Sequence, residues 1–237
     1  TRMQRAAYDM LGLVAVGNPD KRSWLRHGAW PADYFPLRQH YSGQEVYPLE
    51  ADHYEFVTVE GDGVHEIPVG PVHAGIIEPG HFRFSIVGEP VLRLEERLGY
   101  KHKGIEKRFV GMSLEEGVKL AGRVSGDSTC AYAWAYCMAV ESLANCQIPE
   151  HAQWLRALIL ERERVANHLG DLGALGNDAA LGFGLAQFMR LKELWLRLNG
   201  ELFGHRFMMD SLCLGGVRNT LDIDALDRIR AQCDQIE

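Results

Sequence analysis

Glu78 stands between His73 and His81, a carboxylate with an imidazole on either side in sequence. Histidine titrates near neutral pH unperturbed, and a partly desolvated carboxylate can be brought into the same range. Glu78, His73 and His81 are therefore candidate catalytic residues: the carboxylate could exchange protons, and the histidines could join a proton path or line a ligand pocket. A plainer reading makes Glu78 a loop carboxylate bonded to backbone amides of the Pro79–Gly80 turn, with both histidines as structural hydrogen-bonders. The spacing of the three fits no standard metal-ligand pattern. A second group of polar residues precedes a helix: Arg123, Ser125, Asp127 and Ser128. Serine hydroxyls stay protonated near neutral pH and are hard, weak metal donors. In the run Glu161-Arg162-Glu163-Arg164, charges at i and i+3 can form ion pairs, the plain account of that segment and the one favoured over proton conduction. The 5 cysteines include no CxxC pair, which suggests reduced thiols serving as small core residues. Cys130 and Cys137 share a helix face but lie about 10 Å apart along the axis, too far for one metal ion at thiolate bond lengths of about 2.3 Å.

The elements that hold these groups must be read from pattern. The 237 residues are 46% hydrophobic and 24% charged, ordinary for a globular protein. A net charge of −7 argues against a general nucleic-acid binder, which would carry clustered Lys and Arg. No run approaches the roughly 20 apolar residues of a membrane span.

Residues 1–45 carry a short helix over Thr1–Leu13, a turn at Gly17-Asn18-Pro19-Asp20, then aromatics (Trp24, Trp30, Tyr34, Phe35) without a period. Residues 46–65 read as a linker with one short strand at Tyr54–Val59. From residue 66 the pattern is β: Phe82–Val87 alternates, Gly88-Glu89-Pro90 turns, and Val91–Leu94 resumes. From Ile105 onward the chain is helical. Ser113 and Glu116 form a capping-box pattern, and a further helix spans Thr129–Gln147. Pro149 suits the first turn of another helix, whose apolar residues from Trp154 to Leu172 recur near a period of 3.6. The glycine-rich stretch Gly170–Gly184 is expected to break it. A helix over Leu185–Met209 follows, Gly215-Gly216 stops the chain, and Asp222–Glu237 begins another helix. Tyr132, Trp134 and Tyr136 are core or interface aromatics. The fold class is α+β: an irregular N-terminal tail and a β-hairpin followed by a bundle of long helices.

Several motifs carry a resemblance. Arg5-Ala6-Ala7-Tyr8-Asp9-Met10-Leu11-Gly12, Gly17-Asn18-Pro19-Asp20 and Phe35-Pro36-Leu37-Arg38 resemble the end of the 30-kilodalton subunit of complex I. Gly70-Pro71-x-His73, Glu78-Pro79-Gly80-His81-Phe82-Arg83, His102-Lys103-Gly104-Ile105-Glu106-Lys107, the Arg123 loop and Glu161–Leu169 resemble the large subunit shared by complex I (the 49-kilodalton type) and energy-converting nickel–iron hydrogenases. The fused 30-kilodalton-like tail is most similar to that of hydrogenase-4 and formate hydrogenlyase. The resemblance implies a 30-kilodalton-like tail over 1–45, a linker over 46–65 and the N-terminal part of a large-subunit domain over 66–237. The chain would thus be a fragment that stops before the superfamily's C-terminal region.

What the resemblance implies for function follows residue by residue. In the hydrogenases the loop reads Arg-x-Cys-Gly-x-Cys, so Ser125 and Ser128 occupy lost metal-ligand positions and Asp127 adds a carboxylate at the old cofactor cavity. The complex I tyrosine that faces quinone falls on Gly126. His102, Lys103, Glu106, Arg123 and Asp127 are expected to face the partner and its iron–sulfur cluster, with Lys103 standing where the family has arginine. The expected protein is a subunit of a membrane-associated oxidoreductase, NADH:quinone oxidoreductase-like or hydrogenase-like. It would exchange electrons with an iron–sulfur small subunit, contact membrane-arm subunits, and sit peripherally on the cytoplasmic side. The fragment itself would bind no cofactor or metal, the cluster would belong to the partner, and quinone or NAD are candidates for the whole complex. Two alternatives stand beside this reading: a structural assembly subunit and a true nickel–iron hydrogenase subunit.

Overall fold

The structure, a computed structural model, describes every residue except Gly43, residues 73–77, His102 and Glu237. It divides into two compact units, Thr1–Lys107 and Arg108–Glu237.

The first unit opens with α1 (Arg2–Leu11), started by a Thr1–Gln4 capping box and ended by Gly12 at φ 73°. The aromatic stretch after it has no period because two buried side chains of α1 organise it. Arg5 donates to the Arg22 carbonyl at 2.7 Å, the Ser23 carbonyl at 3.0 Å and the Tyr54 hydroxyl at 2.7 Å, and its guanidinium lies 4.8 Å over Trp24. Asp9 accepts from the Trp24 and Leu25 amides, both at 2.7 Å. Residues 54–59 form no strand, contrary to the sequence-based expectation. Side chains hold that backbone instead: Glu95 accepts from the Val57 amide at 3.1 Å, and Arg22 donates to the Glu55 carbonyl at 2.7 Å.

Three antiparallel strands follow, β1 (Val64–Val69), β2 (His81–Val87) and β3 (Val91–Arg97), in that order, so the expected hairpin gains a third strand. Pro68 is tolerated because β1 is an edge strand. Arg97 is buried beside Tyr54 and donates to Asp52 at 2.6 Å, tying the sheet to the segment before it. The short α2 (Ile105–Arg108) falls at the end of this unit, its last residue being the first of the next.

In the second unit, α3 (Leu114–Ala121) begins at the Ser113–Glu116 capping box. A single 3₁₀ turn (Gly126–Ser128) leads into α4 (Thr129–Leu143), then α5 (Glu150–Asp178) and α6 (Gly182–Phe203). A two-residue hairpin, β4 (Leu212–Cys213) and β5 (Gly216–Val217), precedes α7 (Ile223–Asp234), capped by Asp222. The core gathers Val118, Cys130, Ala133, Cys137, Ile159, Phe203, Met208 and Leu212.

The break expected within Gly170–Gly184 occurs, but late in that stretch. α5 continues to Asp178, and Gly170, Gly173 and Gly176 recur every third residue on the side that α6 approaches. A Cβ on Gly176 would lie 3.2 Å from the Leu185 amide nitrogen, and one on Gly173 would lie 3.1 Å from the Met189 methyl. These three glycines serve close helix packing, and the break itself falls at Ala179–Leu181, inside the expected stretch. The fold is α+β as expected.

Candidate functional site

Each unit holds one group of candidate residues. In the first, Glu78 lies in the loop before β2, and Lys103 in the loop after β3 places its ammonium 2.9 Å from the Glu78 carboxylate. Two motifs that are separate in sequence thus meet in an ion pair on an exposed surface. His81 opens β2; its Nδ1 is 3.1 Å from the Gly70 carbonyl, and its ring packs against Phe56. With Nδ1 donating, Nε2 is left as an acceptor, and that atom is buried without a hydrogen-bond partner among the described residues. Glu106 sits in the first turn of α2 and lines a cavity of about 460 Å³ together with His27, Trp30, Tyr34 and Tyr100. His73 and His102 lie outside the described residues.

The second group surrounds the turn into α4. Arg123 makes a bidentate ion pair with Asp210, a residue of the loop after α6. The paired guanidinium holds the Asp210 carboxyl below its ordinary range. Ser125 donates its hydroxyl to Asp127, and the Asp127 carbonyl accepts from Asn167 at 2.7 Å. Ser128 precedes α4 without a side-chain capping bond. The capping is done from α5: Glu163 accepts from the Cys130 amide at 2.6 Å and the Ala131 amide at 3.0 Å. A carboxylate facing free amides at a helix N-terminus is favoured by hydrogen bonds and by the helix dipole. Burial nonetheless dominates and pushes the Glu163 carboxyl above its ordinary value.

Among the described residues no cluster of three or more His, Cys, Asp or Glu has metal-ligand geometry. The donors near the loop do not suit a soft metal. Burial, with Glu163 as a further contributor, pushes the Cys130 thiol far above its ordinary range. Its Sγ lies against the Phe207 and Met208 carbonyls. Burial pushes Cys137 up to about 11. A protonated, buried thiol is neither nucleophile nor ligand.

Four buried charged residues, Glu141, Arg156, Arg162 and Glu163, organise this unit, and only the last two lie in a run that the sequence marks out. The run Glu161–Arg164 is split by the helix. Glu161 and Arg164 pair on the surface at 2.6 Å, whereas Arg162 and Glu163 point inward and are buried. Arg162 lies 4.0 Å over the Trp195 ring and bonds Asn199 and Gln232, with no carboxylate partner among the described residues; burial lowers it to about 10. Arg156 donates to the two oxygens of Glu141 at 2.9 and 2.6 Å and to the Cys213 and Gly216 carbonyls, and Glu141 also accepts from the Gly215 amide. That pair fixes the β4–β5 hairpin. Its signal is present in part, since Arg156 falls on the same face of α5 as Ile159.

The profile of the family described as "Respiratory-chain NADH dehydrogenase, 30 Kd subunit" matches residues 1–47. "Formate hydrogenlyase subunit 5" of Escherichia coli (strain K12) is 34% identical over 98% of this chain and 42% of its own length. "Hydrogenase-4 component G" of the same organism is 33% identical over 92% of the chain and 40% of its own length. The NADH-quinone oxidoreductase C/D protein of Bacteroides fragilis is 24% identical over 96% of the chain and 46% of its own length. Among solved structures, a chain of "the membrane-bound sulfane sulfur reductase (MBS), an archaeal respiratory membrane complex" superposes with a TM-score of 0.59 at 24% identity, over 73% of this chain and 47% of that one. The class defined by these matches is that of complex I-like and hydrogenase-4/formate hydrogenlyase subunits, with a 30-kilodalton-type segment over residues 1–47. The chain belongs to the family that unites complex I-type NADH–quinone oxidoreductase subunits with the large subunits of hydrogenase-4 and formate hydrogenlyase. It spans under half the length of these curated relatives. No helix among the described residues is long and apolar enough to cross a membrane.

Proposed function

We propose that the chain is part of a peripheral subunit of a complex I-like or hydrogenase-4-like membrane oxidoreductase, on the cytoplasmic side. It exchanges electrons with a neighbouring iron–sulfur subunit, couples that to protons, and carries no nickel–iron centre at its Arg123 loop. The observation that carries the last point is the donor set of that loop: Ser125 is hydrogen-bonded to Asp127, Ser128 is a hydroxyl, and the nearest thiol, Cys130, is buried with its proton held. Thiolates hold soft metals and hydroxyls do not. The Glu78–Lys103 pair, on a loop surface of the first unit, is the place where a partner's cluster would be sensed. Lys103 there supplies charge without the bidentate reach of an arginine.

The test is elemental analysis of the protein in its intact complex, together with a redox assay of that complex. Iron without nickel, and electron transfer that depends on this subunit, are expected. Stoichiometric nickel would overturn the loop assignment. A complex whose electron transfer is unchanged when the Lys103→Glu variant replaces the wild type, with the cluster potential also unmoved, would favour a purely assembling role.

A further inference from the structure

The chain sets an aspartate or asparagine directly before a glycine at Asp62–Gly63 and at Asn199–Gly200. Glycine has no Cβ to crowd such a pair, so its backbone nitrogen can approach the side-chain carbonyl carbon of the residue before it. By residue type alone asparagine is the more labile of the two. The fold reverses that order. Asn199 is fully buried in α6, where its Oδ1 accepts from Arg162 and its Nδ2 donates to the Arg206 carbonyl at 3.2 Å. The Gly200 nitrogen lies inside the same helix, so its N–H belongs to the main-chain ladder. Asp62 and Gly63 are both exposed, in the turn that leads into β1. Neither the Asp62 carboxyl nor the Gly63 N–H has a hydrogen-bond partner among the described residues. Nothing lies within 4 Å of where a Cβ on Gly63 would stand, so the pair has room to close on itself.

We propose that Asp62–Gly63 is a self-modification site, at which aspartate isomerises to isoaspartate. The Gly63 nitrogen bonds to Cγ of Asp62 in its acid form. The bond from Cγ to the hydroxyl breaks, and the hydroxyl leaves as water with the amide proton. The product is a cyclic succinimide. Water then adds to either ring carbonyl and breaks that carbon's bond to nitrogen. Opening at Cγ restores aspartate, whereas opening at the main-chain carbonyl leaves the chain running through Cγ, which is isoaspartate. The water lost in closing is regained in opening, so solvent is the only co-reactant. Isoaspartate adds a carbon to the main chain within the turn that the Val64 amide closes on the Gly61 carbonyl at 3.3 Å. That bond is then lost, and the edge strand β1 starts from a longer, looser entry.

The test uses the protein in its intact complex, aged in neutral buffer made with heavy-oxygen water. Peptides are then mapped by mass spectrometry for the heavy oxygen and assayed with an isoaspartyl methyltransferase. Wild type should take up heavy oxygen and methyl label at Asp62–Gly63 and neither at Asn199–Gly200. Chain unfolded in denaturant should restore the order set by residue type, with Asn199 labelled first. Asp62→Glu keeps the charge but lengthens the side chain past the favoured ring size, so label at this site should be lost. Gly63→Ala should also lose it, at some cost in folding because φ is 73° there. Absence of label at Asp62 in the folded protein, or label retained there in Asp62→Glu, overturns the site. Labelling of Asn199 ahead of Asp62 in the folded protein overturns the argument from burial and bonding.

Discussion

At the scale of single residues, buried charge does most of the positioning. Glu141 and Arg156 form a bidentate pair with both side chains almost fully buried, and the pair also holds three backbone groups of the β4–β5 region. Removing one partner of such a pair leaves an uncompensated buried charge, a cost of about 3–5 kcal/mol. Glu141→Gln is expected to lower stability on that scale in chemical denaturation, and a loss under about 1 kcal/mol would show that Arg156 is satisfied without it. The sign with pH follows from Arg156 lowering the Glu141 carboxyl below its ordinary value of 4.5. The stabilisation is complete above that value and is lost as pH falls through the lower, folded one. Wild type should therefore lose stability in acid more steeply than the Gln variant. Glu78 invites a different comparison. If it relays protons, Glu78→Gln keeps shape but cannot carry one, so turnover should fall by about 10²–10⁴-fold with assembly intact. Equal activity of the two would reduce Glu78 to a partner for Lys103.

At the scale of elements, local signals and tertiary packing agree in some places and not in others. The Ser113–Glu116 box and Asp222 at the start of α7 act where the sequence places them, whereas α1 stops at Gly12, short of the expected Leu13, and Pro149 stands just ahead of α5 rather than in its first turn. They are local devices, satisfied within one turn of chain. The glycine-rich stretch marks the break between α5 and α6 but not its position, because helix propensity counts only the cost of glycine within its own helix. The gain, a closer α6, depends on residues well beyond that helix, from Leu185 to Lys192. The two kinds of glycine can be separated by experiment. Above Gly170 the neighbour is the flexible end of Lys192, so Gly170→Ala should be neutral or stabilise by up to about 1 kcal/mol. Above Gly176 the neighbours are backbone atoms of Leu181 and Leu185, so Gly176→Ala should destabilise by about 1–3 kcal/mol. Thermal melts of both variants check this, and equal effects would remove the packing explanation. The candidate site is legible in the sequence as motifs but not as contacts. Glu78–Lys103 and Arg123–Asp210 join residues far apart in sequence, and no periodicity encodes such a meeting.

At the scale of the molecule, two units are built on different principles. The second is a helical unit whose backbone bonds are mostly internal to helices. In the first, residues 46–60 carry no regular structure and are held by side chains such as Asp52, Tyr54 and Glu95. Hydrogen exchange should reflect this. Amides of α4, α5 and α6 should be strongly protected, whereas those of 46–60 should exchange fast except at Glu50 and Val57, whose N–H groups have acceptors. Uniform protection across 46–60 would mean that the segment has a ladder partner after all.

The turn into α4 has a consequence for how the protein comes into being. Asp210 grips its first residue, Asn167 its middle, and Glu163 the amides that follow, while Thr129 bonds the Gly122 carbonyl at 2.7 Å. Every one of these clamps is supplied by the chain itself, so the loop reaches its shape as soon as α5 and α6 pack. Loops of this length that are shaped by a ligand stay open until the ligand arrives, and their folding free energy is then coupled to its supply. This loop takes its shape from α5 and the segment after α6 instead. On the proposed reading that this loop holds no metal, its shape should not depend on metal supply, and hydrogen exchange at the Cys130 and Ala131 amides should be the same for protein from metal-starved and metal-replete cells.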